Sequence, residues 1–222
     1  PSSVPIFSQP SARIGARGMT EAIRAARPGL YEYQLGAVAE FLFNWYGAAG
    51  PAYFPIVGSG PNSCILHYHQ NSRKMEAGEL VVMDFAPDYR YYMSDITRTF
   101  PVSGNFSDEQ ARVYQVVLDA QKAAIRKICP GSTFAEVSSA AREVIARAGY
   151  VKYWLHGVSH YVGMSTHDVG DTRALEPGAV ITVEPGVYIA EKGIGVRIED
   201  TVLVTKDGAL PAYRNAGLKT LW

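Results

Sequence analysis

The sequence predicts a single α+β domain, and three observations support this prediction. Helical and strand-like patterns fall in separate blocks, in the order helices, strands, helices and strands, which is typical of the α+β class. No linker or change of composition divides the chain, and 222 residues fit one large domain. Hydrophobic residues make up 47% and charged residues 19%, as in a folded domain with a sizeable core.

The first block of patterns covers the first hundred residues. Helical spacing of apolar residues predicts a helix over about 9–26, which Pro28-Gly29 stops. A second helix, over about 32–47, is apolar on most sides as far as Trp45, and this predicts that it is buried. Three strand-like runs follow a turn-rich stretch, at 80–83, 89–92 and 96–100.

Two capping boxes open the helices of the second half. Ser107 is followed three residues later by Gln110, and Thr133 by Glu136, so each side chain can satisfy a free backbone N–H of a helix start. We expect these helices to end at Pro130-Gly131 and at Gly149. Three strand-like runs follow, at 179–183, 187–189 and 195–204.

Charge and cysteine content limit the class of protein. The 21 basic residues balance the 21 acidic ones, which argues against coating nucleic acid or an anionic membrane as the main task. Two cysteines do not make a disulfide framework. No apolar run reaches the roughly 18 residues that a membrane helix needs. We therefore expect a cytoplasmic protein that binds neither nucleic acid nor membrane.

Two aspartates stand in strand-like runs of the first half. Asp84 ends an apolar run, where a lone buried carboxylate is costly, and Asp95 lies eleven residues on, beside another run. Carboxylates that face each other across adjacent strands repel unless a proton or cation lies between them. The alternative is a turn-capping Asp84 and an Asp95 in an ordinary salt bridge.

The five histidines are clustered. His67 and His69 form one group, and His156, His160 and His167 form another within a glycine-containing stretch. Histidine is the commonest metal ligand and the usual proton carrier near neutral pH, so the clustering predicts a site. The alternative is one buried, hydrogen-bonded histidine with the others on the surface.

Two glutamates interrupt β-branched runs near the end of the chain. Glu184 ends a strand before Pro185-Gly186. Glu199 follows Arg197 by two residues, so Arg197 and Glu199 point to the same side of their strand. The alternative is an Arg197–Glu199 pair on a solvated face.

These residues together predict a metal site. Its members are four carboxylates and one imidazole, which is more buried acid than a structural network would hold: Asp84, Asp95, His160, Glu184 and Glu199. Oxygen-rich ligands of this kind suit two hard divalent cations, and the set lacks the cysteines of a structural zinc site.

Around these residues the sequence resembles the pita-bread metallopeptidases, and most closely the Xaa-Pro aminopeptidase family. The resemblance covers nearly the whole chain and rests on these motifs: Leu66-His67-Tyr68, Asp84 with Asp95-Ile96-Thr97-Arg98, His156-Gly157-x-Ser159-His160-x-x-Gly163, His167-Asp168-Val169-Gly170, Val183-Glu184-Pro185-Gly186-x-Tyr188 and Arg197-Ile198-Glu199-Asp200.

The resemblance implies a fold. It is a curved antiparallel sheet flanked by helices, in two halves related by a pseudo-twofold axis, although no repeat is evident in the sequence. Relatives usually carry an N-terminal domain of similar bulk, and we expect residues 1–222 to form a single catalytic domain without it.

The resemblance also assigns the metal ligands. Asp84 would chelate the second metal, while Asp95 and Glu199 would bridge both metals. His160 and Glu184 would complete the first metal. Glu184 would in addition take a proton from the nucleophile and pass it to the leaving proline nitrogen.

Other residues are implied on the substrate side. His67, His156 and His167 would line it, with His167 beside the developing oxyanion and Tyr188 as a further substrate contact. Arg197 would support the ligands. These five, with Glu184, are the candidate catalytic and substrate-binding residues.

The implied activity is removal of the N-terminal residue from peptides with proline in second position. The implied nucleophile is a hydroxide bridging two divalent metals, usually Mn²⁺, with Co²⁺, Zn²⁺ or Fe²⁺ as other choices. A peptide is therefore the expected partner, and a homo-oligomer is compatible with the resemblance.

Two alternative functions belong to the same fold. Prolidase cleaves only Xaa-Pro dipeptides, but its motif tends to have glycine before the metal histidine, where this chain has Ser159. A non-catalytic binding module is the other alternative, but such relatives have lost ligands that stand here.

Overall fold

The computed structural model describes residues 8–170 and 173–212, so both ends of the expected 1–222 domain lie outside the described residues. The helices are α1 (Gln9–Ala25), α2 (Glu32–Trp45), α3 (Asp108–Lys127) and α4 (Phe134–Arg147). The strands of the first half are β1 (Gly50–Pro51), β2 (Ile56–Ser59), β3 (Leu80–Asp84), β4 (Pro87–Tyr89), β5 (Tyr92–Met93) and β6 (Ile96–Pro101). Those of the second half are β7 (Val180–Val183), β8 (Gly186–Ile189), β9 (Ile194–Arg197), β10 (Glu199–Thr205) and β11 (Gly208–Pro211).

A six-stranded antiparallel sheet forms the centre of the molecule. Its order is β11-β10-β6-β3-β2, with β7 on the other edge of β10. Two smaller sheets accompany it, β1-β4-β5 and the β8–β9 hairpin. These sheets and the four helices confirm the predicted α+β class.

Each half of the chain packs a helix pair against its own strands. In the first half α1 and α2 bury Met19, Leu35 and Phe43 against residues of β3 and β6. In the second half α3 and α4 bury Val117 and Ile145 in a separate cluster with residues of β7, β9 and β10. The result is two hydrophobic cores joined through the central sheet.

The pseudo-twofold relation between the halves is visible in one pair of threonines. Thr99 Oγ1 donates to the carbonyl of Arg197 and accepts from its N–H, at 2.8 and 3.0 Å. Thr201 Oγ1 does the same to Asp95, at 2.7 and 2.9 Å. These two pairs of hydrogen bonds lie on either side of the Thr97–Glu199 pair, where β6 meets β10. Each half therefore braces the strand of the other with the same interaction.

Both predicted capping boxes are present. Ser107 Oγ accepts from the N–H of Gln110, whose side chain accepts from the N–H of Ser107. Thr133 and Glu136 exchange the equivalent bonds at the start of α4. Local side-chain chemistry therefore sets where these two helices begin.

Three sequence predictions of element detail are wrong. The strand expected at 89–92 is a hairpin, because Arg90 and Tyr91 adopt left-handed backbone angles between β4 and β5. The run at 195–204 is two strands, because β9 pairs with β8 while β10 joins the central sheet. Helix α2 is not buried all round, since Trp45 is 71% exposed.

In the described part of the chain, no helix combines the length and the apolar character that crossing a membrane requires.

Candidate metal centre

Strand ends place the acidic residues at one point of the sheet. Asp84 is the last residue of β3 and Glu199 the first of β10, while Asp95 immediately precedes β6 and Glu184 immediately follows β7. Thr97 of β6 lies opposite both Asp84 and Glu199 in the register. Antiparallel pairing therefore brings acids from distant parts of the sequence together.

His160 joins this cluster from an extended segment beside β7. Its carbonyl accepts from the N–H of Thr182, and its own N–H donates to Thr182 Oγ1. His160 Nε2 lies 3.3 Å from Glu184 Oε1 and 3.6 Å from Asp95 Oδ2. One ligand atom from each of Asp95, His160 and Glu199 can be chosen so that all lie within 4.8 Å of one another.

The two acids expected to bridge metals are deeply buried. Asp95 is 5% and Glu199 1% exposed. Burial, followed by the charge of Asp84, raises the pKa of Asp95 well above its usual value. Burial, followed by the charge of Asp95, does the same to the pKa of Glu199. The protein by itself therefore disfavours the ionised forms of these two acids.

The other two acids each face a cationic group. Arg197 Nη2 donates to Asp84 Oδ2 at 2.8 Å. Burial opposes ionisation of Glu184, but its hydrogen bond with His160 and the charges of His156, His160 and Arg197 together outweigh this and lower the glutamate pKa. Burial likewise opposes protonation of His160, yet Glu184 raises the pKa of this imidazole to about 9.

The donor set fits divalent cations. Crowded, buried carboxylates with raised pKa values need a positive charge among them, and carboxylate oxygens with one imidazole nitrogen are ligands that hard dications accept. His160 Nδ1 lies 3.0 Å from the carbonyl of Tyr161, which fixes the tautomer with Nε2 facing the acids. This orientation is the one a metal ligand requires.

A hydrogen-bonded chain runs from Arg197 to His156. Arg197 Nη1 donates to the hydroxyl of Tyr188, whose own proton then goes to His156 Nε2 at 2.8 Å. His156 Nδ1 can donate to the carbonyl of Gly157 at 2.6 Å. Burial raises the pKa of Tyr188 to about 12 and lowers that of His156, so both groups are neutral at pH 7.

His67 and His167 lie at the opening of the site. Both are exposed, and both line two adjoining cavities of about 250 and 300 Å³. The rings of His160 and His167 are 4.1 Å apart. Burial, followed by the charge of His160, lowers the pKa of His167. The predicted substrate-side histidines therefore surround the space next to the acids.

The structure decides between the alternatives that the residues left open. A solvated Arg197–Glu199 face is wrong, because both side chains are buried within the site. Asp84 does not cap a turn, since it ends β3 and pairs with Arg197. The alternative interpretation of the histidines expected one that is hydrogen-bonded. His156 has hydrogen bonds at both ring nitrogens, and it also lines the cavity.

Sequence reasoning missed two residues of the site. The hydroxyl of Tyr53 lies 2.6 Å from Oδ1 of both Asp84 and Asp95. Thr97 Oγ1 donates to Glu199 Oε2 at 2.6 Å and accepts from Arg197 Nε at 3.3 Å. Tyr53 precedes any motif and carries no sequence signal, whereas Thr97 lay within a quoted motif without an assigned role.

The fold and this acid-rich cluster define a metallopeptidase. The chain belongs to metallopeptidase family M24, whose family model matches residues 9–206. The chain is 39% identical to the Xaa-Pro aminopeptidase of Escherichia coli (strain K12), over 88% of this chain and 51% of that protein. It is 41% identical to the Xaa-Pro dipeptidase of Pyrococcus furiosus, over 88% of this chain and 57% of that protein.

A solved structure confirms the predicted pita-bread fold. A variant of Escherichia coli aminopeptidase P in complex with substrate superposes with a TM-score of 0.89 at 36% identity, covering 95% of this chain and 55% of that one. The chain thus spans about half the length of these relatives. Membership of a metallopeptidase family and the buried cluster of carboxylates and imidazole together support a divalent metal site in this chain.

Proposed function

We propose that the chain is the catalytic domain of an Xaa-Pro aminopeptidase, which removes the N-terminal residue from peptides with proline in second position. The observation that carries this proposal is the convergence of Asp84, Asp95, His160, Glu184 and Glu199 at one point of the sheet. Relatives named Xaa-Pro aminopeptidase support the substrate class.

We propose the ligand roles that the family resemblance implies. Asp95 and Glu199 would bridge two ions, with Asp84 completing one and His160 and Glu184 the other. Mn²⁺ is our proposed metal, because carboxylate oxygens suit it, and Co²⁺, Zn²⁺ and Fe²⁺ are the other choices. Bound dications supply a water of lowered pKa and polarise the scissile carbonyl.

The residues around the ligands hold them and move protons. Arg197 and Tyr53 fix both oxygens of Asp84, and Thr97 fixes one oxygen of Glu199. In our proposal Glu184 accepts a proton and delivers it to the leaving nitrogen, and its position in the lining of the cavity supports this role.

The substrate side carries hydrogen-bonding imidazoles. His67 and His167 line the cavity from different segments of the chain, and burial lowers the pKa of His156, whose Nε2 is hydrogen-bonded to Tyr188. Neutral imidazoles can donate to a peptide carbonyl, and a donor at the position of His167 would stabilise a developing oxyanion. In the proposed function these groups orient the peptide in the cavity.

The direct test is hydrolysis of a tripeptide with proline in second position. We expect full loss of activity after chelation and recovery when Mn²⁺ is restored, with Asp95→Ala inactive under both conditions. A chelated sample that keeps its activity would overturn the metal mechanism. An Asp95→Ala variant that retains the wild-type metal content would overturn the ligand assignment.

Dipeptidase activity is the second candidate function. The 41% identity to the dipeptidase of Pyrococcus furiosus favours it, and it needs the same metal centre. Comparing an Xaa-Pro dipeptide with the matched tripeptide separates the two. An aminopeptidase cleaves the tripeptide faster, whereas a dipeptidase cleaves only the dipeptide.

A non-catalytic binding module is the least supported function. Such a protein has no reason to retain four carboxylates that repel one another in a buried cluster. A metal-free purified protein without hydrolysis after reconstitution would support it.

The compartment and assembly are proposals as well. We propose a cytoplasmic enzyme whose partner is peptide, on the basis of its balanced charge and its relatives. Cell fractionation tests the first point, and sedimentation analysis distinguishes a monomer from a homo-oligomer.

A further inference from the structure

A buried glutamate far from the metal ligands in sequence has an unusual number of donors. Glu32, the first residue of α2, is fully buried. Its Oε1 accepts from the N–H and hydroxyl of Ser59 and from Asn62 Nδ2, at 2.7, 2.7 and 3.1 Å. Its Oε2 accepts from the hydroxyl of Tyr68 and the N–H of Arg73, both at 2.9 Å. Five donors thus meet on one carboxylate.

All five donors belong to one stretch of chain, residues 59–73, which we call the His67 segment. The bonds reach its start at Ser59, its middle at Tyr68 and its end at Arg73. The backbone of Glu32 adds a reciprocal tie, since its N–H donates to the carbonyl of Arg73. Glu32 therefore fastens the whole segment to the start of α2.

The His67 segment carries a predicted substrate-side residue. His67 is exposed, and among the residues that the structure describes its side chain has no hydrogen-bond partner. It nevertheless lines both cavities beside the acids. Its ring stacks on that of His69, with centroids 6.4 Å apart, and the nearest hydrogen-bonded side chain along the chain is that of its neighbour Tyr68, bonded to Glu32.

We propose that Glu32 is a positioning residue for the reaction, holding the His67 segment so that the imidazole of His67 faces the metal site. This inference rests on the proposed function, because it gives His67 a role toward the peptide. Glu32 touches neither substrate nor metal ligands. It acts through the segment it anchors.

The chemistry explains why this position needs a glutamate. A carboxylate is an acceptor only, and its two oxygens have about four lone-pair sites for charge-assisted bonds. The positive end of the α2 dipole adds to its stabilisation. Glutamine would turn an N–H₂ group toward donors on one side, so at least two of the five bonds would be lost.

A double-mutant cycle with His67 tests the proposal in the metal-loaded protein. Glu32→Gln is expected to lower kcat/KM for an Xaa-Pro tripeptide about ten- to a hundredfold, with unchanged metal content. In a His67→Ala background the same substitution is expected to change kcat/KM less than about twofold, because coupled residues are non-additive. Equal fold losses in both backgrounds would overturn the proposal.

Tyr68→Phe keeps the test decisive if Glu32→Gln does not fold. It removes one donor of the five, the one next to His67, and is expected to lower kcat/KM about two- to tenfold with the same non-additivity. Independent effects of Tyr68→Phe and His67→Ala would overturn the proposal. Glu136→Gln is the control, because Glu136 lies in the first turn of another helix, α4, and does not contact the His67 segment.

A second measurement does not depend on activity. In Glu32→Gln or Tyr68→Phe, amide hydrogen exchange within residues 59–73 is expected to accelerate at least about tenfold more than in β3. Unchanged exchange there would overturn the anchoring. A wild-type protein without hydrolysis would instead overturn the proposed function, and the exchange result would still decide whether Glu32 anchors the segment.

Discussion

Tyr53 shows how a single residue influences the protonation of the site. Its hydroxyl has one proton but lies 2.6 Å from oxygens of both Asp84 and Asp95, so it cannot donate to both at once. Burial, then the charges of these two acids, raises the pKa of Tyr53 well above its usual value and keeps the hydroxyl protonated. Without metal, one of the neighbouring carboxyls must carry a proton to complete the arrangement.

This crowding predicts the effect of Asp95→Asn. In metal-free protein the variant should be more stable by about 1–2 kcal/mol, because a neutral amide relieves the repulsion among buried acids. The same variant should lose metal. Urea unfolding with chelator and elemental analysis measure both effects. A less stable metal-free variant would contradict the charge argument.

Tyr188→Phe tests the chain from Arg197 to His156. Removing the hydroxyl leaves buried Arg197 Nη1 without its acceptor and His156 Nε2 without its donor, so we expect a loss of about 1–3 kcal/mol and reduced activity. Chemical denaturation measures the stability. Tyr114→Phe is a matched control, as Tyr114 is buried in the hydrophobic core of the second half. Equal losses in the two variants would contradict the assigned bonds.

Residue types in the sequence indicated most of the site but not the side chains that hydrogen-bond to its acids. Aspartate and glutamate at the ends of apolar runs are costly to bury, and this cost made Asp84, Asp95, Glu184 and Glu199 recognisable. Tyr53 is an ordinary tyrosine in a loop, and only the approach of β3 to β6 gives it two carboxylate partners. Partners brought together by folding leave no local pattern.

At the scale of elements, the paired hydrogen bonds of Thr99 and Thr201 join the two halves. Thr99 and Thr201 each satisfy the N–H and the carbonyl of a residue in the other half, within a buried part of the sheet. Edge-to-edge contact between β6 and β10 is limited to two residue pairs. The side-chain bonds therefore extend the pairing beyond the backbone ladder.

We predict equal destabilisation by Thr99→Val and Thr201→Val. Each change keeps the side-chain shape but leaves a buried N–H and carbonyl without partners, which costs about 1–3 kcal/mol. Urea midpoints measure the loss. Thr205→Val removes two hydrogen bonds, to the carbonyl of Gly208 and from the N–H of Asp207, in a turn open to water, and should cost less. A large difference between the first two variants would contradict the equivalence of the halves.

The capping box of α4 predicts a pH effect. The N–H of Thr133, followed by Lys127, lowers the pKa of Glu136 in the folded chain. Its stabilisation is therefore present above the unfolded pKa of about 4.3 and is lost as pH falls through the lower folded value. Urea midpoints of wild type and Glu136→Gln should differ at pH 7 and converge in acid. A constant difference would contradict this.

Local signals fixed the helices better than the strands. Capping side chains and apolar spacing act within a few residues, so the ends of α3 and α4 follow from the sequence. The run 195–204 looks continuous because apolar residues fill it throughout. It divides at Ile198 because its two parts pair with different strands, β8 and β6, which no local pattern encodes.

At the scale of the whole molecule, the proposed metal ligands come from both halves. Asp84 and Asp95 belong to the first half, and His160, Glu184 and Glu199 to the second. Metal held by these residues would therefore connect two hydrophobic cores that meet at the central sheet. Without metal, the repulsion of the acids would remain at this junction.

We predict that Mn²⁺ stabilises the protein against unfolding. At free metal about a hundredfold above its dissociation constant, the gain from one site is about 2.7 kcal/mol. Calorimetry with Mn²⁺ and with chelator measures the shift in Tm. Asp95→Asn is the control, and its Tm should not respond to Mn²⁺. An equal response in this variant would place the metal elsewhere.

The sequence by itself determined the α+β class, the helix starts and the residue types of a dication site. Propensity, capping and the cost of burying charge act locally, so they can be read along the chain. Tertiary structure alone decided that Tyr53 lies between two acids, that Thr99 and Thr201 exchange equivalent bonds, and that Glu32 gathers the His67 segment. These depend on antiparallel register and on packing between residues distant in sequence, which fix which side chains meet.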